Sequence, residues 1–134
     1  MNSNHLLIID DDDLIAIGLR DYLELHGFLV DSAPDYEAAQ TLVSNRAYAI
    51  AIVDTVLSGR APEFGMGFLR WLRESSPATI PVVLTGYRTA SLEHFALGVG
   101  ITLLFDKPKS FDEIADLVTT VLSKRERILG ETRV

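Results

Sequence analysis

The chain has 134 residues, enough for one hydrophobic core, and its 48% hydrophobic and 23% charged composition excludes a disordered segment. The absence of cysteine excludes a disulfide framework and thiolate metal sites, and suits a reducing cytoplasm. A net charge of −7 argues against a general nucleic-acid-binding surface, and neither a signal peptide nor an apolar run of membrane-span length is present.

The first element is a four-residue apolar run, residues 6–9, ended by the four aspartates Asp10, Asp11, Asp12 and Asp13. A helical pattern then covers residues 14–26 and stops at Gly27. Next come an apolar run at 28–30 and a helix over 36–45, with apolar Ala39, Leu42 and Val43. A third run at 49–53 ends at Asp54, and a short helix is expected over 68–73. A fourth run at 80–84 ends at Thr85, and the helix of 90–97 is stopped by Gly98. A fifth run at 101–105 leads to Asp106, Lys107 and Pro108. The last helix opens at Ser110 with Glu113 three residues on, a capping box, and carries a stripe of Ile114, Leu117, Val118, Val121 and Leu122. Short runs of Ile, Leu and Val without polar alternation read as strands buried on both faces. Five strand–helix units predict an α/β fold, a doubly wound parallel sheet with helices on both sides. Functional groups then belong outside the carboxyl ends of the strands.

The residues at those carboxyl ends are chemically distinctive. Asp10 and Asp11 come after the first strand, Asp54 after the third, Thr85 and Gly86 after the fourth, and Lys107 after the fifth. One rim would gather three carboxylates, a hydroxyl and an ammonium from distant parts of the chain. Clustered carboxylates repel unless a cation neutralises them, and an oxygen-only set suits Mg²⁺. Lys107 and the Thr85 hydroxyl would meet the oxygens of an incoming phosphoryl group. A carboxylate can attack phosphorus to give an acyl phosphate, so the set predicts phosphoryl transfer to an aspartate. Asp12 and Asp13 have a plainer explanation as helix-capping acids, Asp13 more so than Asp12. His5, His26 and His94 fall outside the rim and read as surface or packing residues.

Four motifs in order resemble the response-regulator receiver domains of two-component signalling. They are Leu6-Leu7-Ile8-Ile9-Asp10-Asp11-Asp12, Ala51-Ile52-Val53-Asp54-Thr55-Val56-Leu57, Ile80-Pro81-Val82-Val83-Leu84-Thr85-Gly86 and Phe105-Asp106-Lys107-Pro108. Asp54 and Thr85 are 31 residues apart and Thr85 and Lys107 are 22 apart, and the resemblance covers residues 5–125 of a single domain with a short tail. It implies a flavodoxin-like fold of strand order 2-1-3-4-5. It implies Asp54 as phosphoacceptor, Mg²⁺ held by Asp10, Asp11, Asp54 and the Val56 backbone carbonyl, and Thr85 and Lys107 as sensors of the phosphoryl group. It implies a cis Lys107–Pro108 bond. The expected partner is a sensor histidine kinase or a histidine phosphotransfer protein, with a second copy of the chain as a further candidate. The output partner stays open, as does whether the domain stands alone or was cut from a longer regulator.

Departures from the family sharpen the expectations. With Gly67 taken as the second glycine after the phosphoacceptor, the loop after Asp54 is about five residues longer than usual and places Phe64 and Met66 beside Arg60 over the site. Residues 60–66 are expected to influence which partner reaches Asp54. Leu104 stands where the family often has an aromatic switch residue, while Phe105 should face the other side of the sheet. The segment Gly98-Val99-Gly100 is slightly long, and Val56 and Tyr87 flank the site. Two other functions compete. A haloacid-dehalogenase-like phosphatase would use Asp10-Asp11-Asp12, but it gives Asp54 no role and leaves only Asp112 and Asp116 for a late acidic pair. A receiver-like docking module would lack phosphate turnover. A flavin binder is excluded by the repulsion four aspartates would exert on a phosphate.

Overall fold

In the computed structural model, residues 4–57, 60–86, 88–107 and 109–132 are described. The apolar runs form strands and the amphipathic stretches form helices. In chain order they are β1 (His5–Ile9), α1 (Asp13–Leu25), β2 (Leu29–Ala33), α2 (Tyr36–Asn45), β3 (Ile50–Asp54), α3 (Pro62–Ser75), β4 (Ile80–Thr85), α4 (Ala90–Gly98), β5 (Leu104–Asp106) and α5 (Phe111–Thr132). All strand pairs are parallel, in the order β2-β1-β3-β4-β5, as expected.

Alternation along the strands divides the core between the two faces of the sheet. Leu6, Ile8 and Ile52 pack with Leu19 and Leu23 of α1 and Val118 of α5. Leu7, Ile9 and Val53 pack with Ala39 of α2, Leu69 and Leu72 of α3 and Ala96 of α4. Burying each Leu, Ile or Val side chain contributes roughly 1.5–3 kcal/mol. With both faces covered, β3 is buried along its whole length.

The structure revises four boundaries. β2 continues through polar Asp31 and Ser32 to Ala33, because a strand at the sheet edge is less covered than the central ones: Val30 is buried on one face and Ala33 on the other, while Leu29 and Ser32 are exposed. β5 begins at Leu104 and not at residue 101. The chain turns at Gly100 (φ 79°), and Ile101 closes the end of α4, its N–H donating to the Ala96 carbonyl at 2.8 Å and its side chain buried. α3 begins at Pro62, six residues earlier than expected, with proline preset for the first helical turn. The long loop is therefore mostly helix: Phe64 lies in the first turn of α3, 53% exposed, with the Arg60 guanidinium 5.1 Å from its ring centre. α5 opens on the expected capping box, Ser110 and Glu113 exchanging side-chain and backbone bonds of 2.9–3.3 Å, but runs to Thr132, so the expected tail is helical.

Tyr87 and the Lys107–Pro108 bond lie outside the described residues. Among the described residues, no helix is long and apolar enough to cross a membrane.

Candidate functional site

Parallel pairing in register brings the strand ends to one rim. Ile9 pairs with Val53, Asp54 with Leu84, and Thr85 with Asp106. Asp10 therefore leaves β1 beside Asp54 at the end of β3, and Lys107 leaves β5 beside them. Asp10, Asp11 and Asp54 each offer a carboxylate oxygen within 4.8 Å of the other two. Asp10 and Asp54 are buried and Asp11 is half-buried.

Each buried acid is held at both oxygens. Oδ1 of Asp10 accepts from the Asp12 N–H, and Oδ1 of Asp54 from the Val56 N–H, both at 2.9 Å. Lys107 Nζ donates to Oδ2 of Asp10 at 3.0 Å and to Oδ2 of Asp54 at 3.1 Å. The Lys107 backbone N–H donates to the Thr85 carbonyl at 2.8 Å, which ties the ends of β4 and β5. Burial pushes the Asp54 carboxyl above its ordinary value; the Val56 N–H and the Lys107 ammonium pull it down without cancelling that push, and Asp10 adds to it. Burial alone would lower Lys107, but Asp10 and Asp54 outweigh it and hold the ammonium above its ordinary value. Three acids gather here, two of them bonded to the Lys107 ammonium, and the atoms they offer are all oxygen. This cradle fits a hard divalent cation.

The other expected residues divide. Thr85 is buried at the end of β4, and Val56 is 39% exposed. Asp12 is the N-cap of α1, accepting from the N–H groups of Leu14 and Ile15, and Asp13 lies in the first helical turn. Asp112 and Asp116 lie on α5, outside the cluster of three acids. His26 packs against Tyr22 with the rings tilted, His94 is exposed on α4, and His5 starts β1 at the end away from the acids. Leu104 packs toward α3 and α4 and Phe105 toward α1 and α5, the opposite facing expected of neighbours in a strand. A cavity of about 190 Å³ adjoins the acids, lined by Asp54, Lys107, Ile15, Leu19, Phe111 and Ile114.

Sequence reasoning missed two contributors. Tyr36 donates its hydroxyl to the backbone carbonyl of Asp54 at 3.0 Å. Gly65 packs so closely that a Cβ there would lie 2.5 Å from the Thr55 carbonyl oxygen, whereas Gly67 faces open space. Gly65, not Gly67, is the glycine that the packing of α3 against the end of β3 requires. Asp35-Tyr36 comes just after β2 and so lies on the same rim; the residues beyond that strand carried the signal that could have found Tyr36.

The sequence profile of the family described as "Response regulator receiver domain" matches residues 6–119. The photosynthetic apparatus regulatory protein RegA of Rhodobacter capsulatus is 32% identical over 123 residues, 92% of this chain and 64% of RegA. This chain thus spans less than two thirds of that relative. A CheY-like response regulator receiver domain protein from Methanospirillum hungatei superposes with TM-score 0.85 at 22% identity, over 92% of this chain and 97% of the other. A response regulator protein from Burkholderia pseudomallei superposes with TM-score 0.77 at 24% identity, over 98% of this chain and 75% of the other. The fold, the acids gathered at its rim and a profile match over most of the length agree: the chain belongs to the response regulator receiver domain family.

Proposed function

We propose that the chain accepts a phosphoryl group on Asp54 in a Mg²⁺-dependent reaction, from a sensor histidine kinase or a histidine phosphotransfer protein. One observation carries this reading: Asp54 is buried at the end of β3, in reach of two further acids and bonded to the Lys107 ammonium. The Burkholderia pseudomallei protein of the same fold carries a phosphorylated aspartic acid and a calcium ion. An Asp54 carboxylate oxygen forms the bond to phosphorus. The bond from phosphorus to the donor atom breaks and the leaving group keeps the electron pair: a histidine nitrogen takes up a proton, whereas acetate from acetyl phosphate departs as the anion. Asp10, Asp11, Asp54 and the Val56 carbonyl would hold Mg²⁺, which supplies the positive charge that offsets the acids and the incoming phosphoryl group. Lys107 exchanges its bond to Asp54 for one to a phosphoryl oxygen, and the Thr85 hydroxyl donates to another. The chain acts as a receiver domain in the cytoplasm and is not a dedicated enzyme. Incubation with acetyl phosphate and Mg²⁺ should add one phosphoryl group to the intact mass. No adduct with either acetyl phosphate or a phosphorylated histidine partner would refute the proposal.

The metal set has its own test. Asp11→Ala should weaken Mg²⁺ binding about tenfold or more, measured by titration calorimetry, because it removes one of three acids. Asp13→Ala, in the first turn of α1, should leave it within about twofold, the scale of a screened surface charge. Equal losses would place the metal elsewhere in the acidic run.

Lys107→Ala separates acceptance from response. Its ammonium occupies two of the acids before phosphorylation, so its removal should tighten Mg²⁺ binding and still allow phosphate onto Asp54. Stability should fall by about 2 kcal/mol, the scale of leaving buried charges without their partner. Phosphorylation should no longer change affinity for an output partner. An unchanged response in the phosphorylated variant would remove Lys107 from that role.

A further inference from the structure

α2 starts just after β2 ends, and its first two residues each hold one end of the segment that carries Asp54. Tyr36 donates its hydroxyl to the Asp54 carbonyl at 3.0 Å. Glu37 pairs through both oxygens with Arg60, at 2.6 and 3.1 Å. Tyr36 is 3% exposed, and its ring stacks on Phe68 with centroids 5.2 Å apart. Gly65 leaves room for the phenol, since a Cβ there would lie 2.9 Å from the hydroxyl oxygen. Burial, and then the charge of Asp54, push this phenol above its ordinary value.

The bonded carbonyl belongs to the Asp54–Thr55 peptide. Fixing that peptide plane leaves only the two Thr55 dihedrals between it and the next plane, whose Val56 N–H donates to Oδ1 of Asp54 at 2.9 Å. The Val56 carbonyl, assigned above to Mg²⁺, lies just beyond. A hydroxyl acting on the backbone of the phosphoacceptor thus orients both its carboxylate and the metal-facing carbonyl. Positioning of this kind is felt in reaction rate, because small displacements of reacting groups are costly.

We propose that Tyr36 is a positioning residue for phosphoryl acceptance, its hydroxyl aiming Asp54 and the Val56 backbone, with Glu37 and Arg60 securing the far end of the same segment. The proposal rests on the reading of Asp54 as phosphoacceptor. Its test is Tyr36→Phe, which keeps the ring and removes the donor. Initial phosphorylation rates with acetyl phosphate at saturating Mg²⁺ should fall about fivefold, and the Mg²⁺ dissociation constant should rise by a similar factor, the scale of one lost hydrogen bond. Half-saturation by acetyl phosphate should not move. Glu37→Gln, a surface change, should shift rate and metal affinity the same way by about twofold, the scale of an exposed ion pair. Leu23→Val, in the core on the opposite face of the sheet from Tyr36, is the packing control. It should lower the melting temperature yet leave both quantities at wild-type values. Wild-type rate and metal affinity in both Tyr36→Phe and Glu37→Gln would overturn the role of Tyr36 and leave Asp54 standing. Equal losses in Leu23→Val and Tyr36→Phe would also overturn it, by showing that any loosening suffices. A wild type that takes up no phosphate would overturn both readings.

Discussion

Asp54→Asn should abolish the phosphoryl adduct and, at the same time, raise the melting temperature by several degrees at neutral pH. The first effect is chemical: a carboxamide lacks the anionic oxygen that attacks phosphorus. The second is electrostatic. Burial raises the Asp54 carboxyl in the folded state above its ordinary value of 3.8. Between those two values the folded state binds more protons than the unfolded state, so stability falls as pH rises through that window. Above it the full cost of a buried charge is borne, and the neutral amide removes that cost. The wild type should therefore gain stability on mild acidification through the window, while Asp54→Asn should show a flatter profile. Mg²⁺ should stabilise the wild type, by about 2.7 kcal/mol at a hundredfold excess over its dissociation constant, and stabilise the variant less. Thermal denaturation with and without Mg²⁺, beside intact-mass measurement, checks all of this. A phosphate that survives in Asp54→Asn would sink the assignment, and a lowered melting temperature would sink the electrostatic account.

Gly65→Ala should destabilise the fold by about 2–3 kcal/mol, on the order of a 10 °C fall in melting temperature. The added Cβ would lie 2.5 Å from the Thr55 carbonyl oxygen and 3.0 Å from the Thr55 Cα. Both are backbone atoms directly after Asp54, and neither can swing aside as a side-chain tip would. The loss therefore exceeds the roughly 1 kcal/mol that alanine gains over glycine inside a helix. Gly67→Ala supplies the contrast. It lies in the same helix with no atom within 4 Å of its would-be Cβ, so it should be neutral or stabilising. Thermal melts of the two variants decide the matter; equal melting temperatures would mean that α3 moves away from β3 without cost.

The central strands were legible because burial on both faces leaves a plain run of apolar residues, as in Leu6 to Ile9 and Ile50 to Val53. Edges are less legible. β2 carries Asp31 and Ser32 because one side of it meets no neighbour, and β5 is three residues long because Ile101 is used to close α4. α3 was hidden by Gly65 and Gly67, which suggest a loop when steric fit is unseen. Asp10, Asp11, Asp54 and Lys107 were readable as rim residues, since a parallel sheet turns strand ends into neighbours. Tyr36 was not, because it works through a hydroxyl on a backbone carbonyl, and no side-chain motif announces such a bond.

The bridge from Lys107 to Asp10 spans 97 positions of the chain. Asp10 and Asp54 come together through the pairing of β1 with β3, whereas the compensating ammonium follows a three-residue edge strand. A chain that pairs β1 with β3 first would meet the mutual repulsion of its two central acids before the cation that relieves it. Long-range pairings of this kind are slow in their own right, because loop entropy is lost before contacts reward it. In kinetic terms, the acids that serve the folded protein would on that route be a brake on reaching it, one that a divalent cation in solution would release.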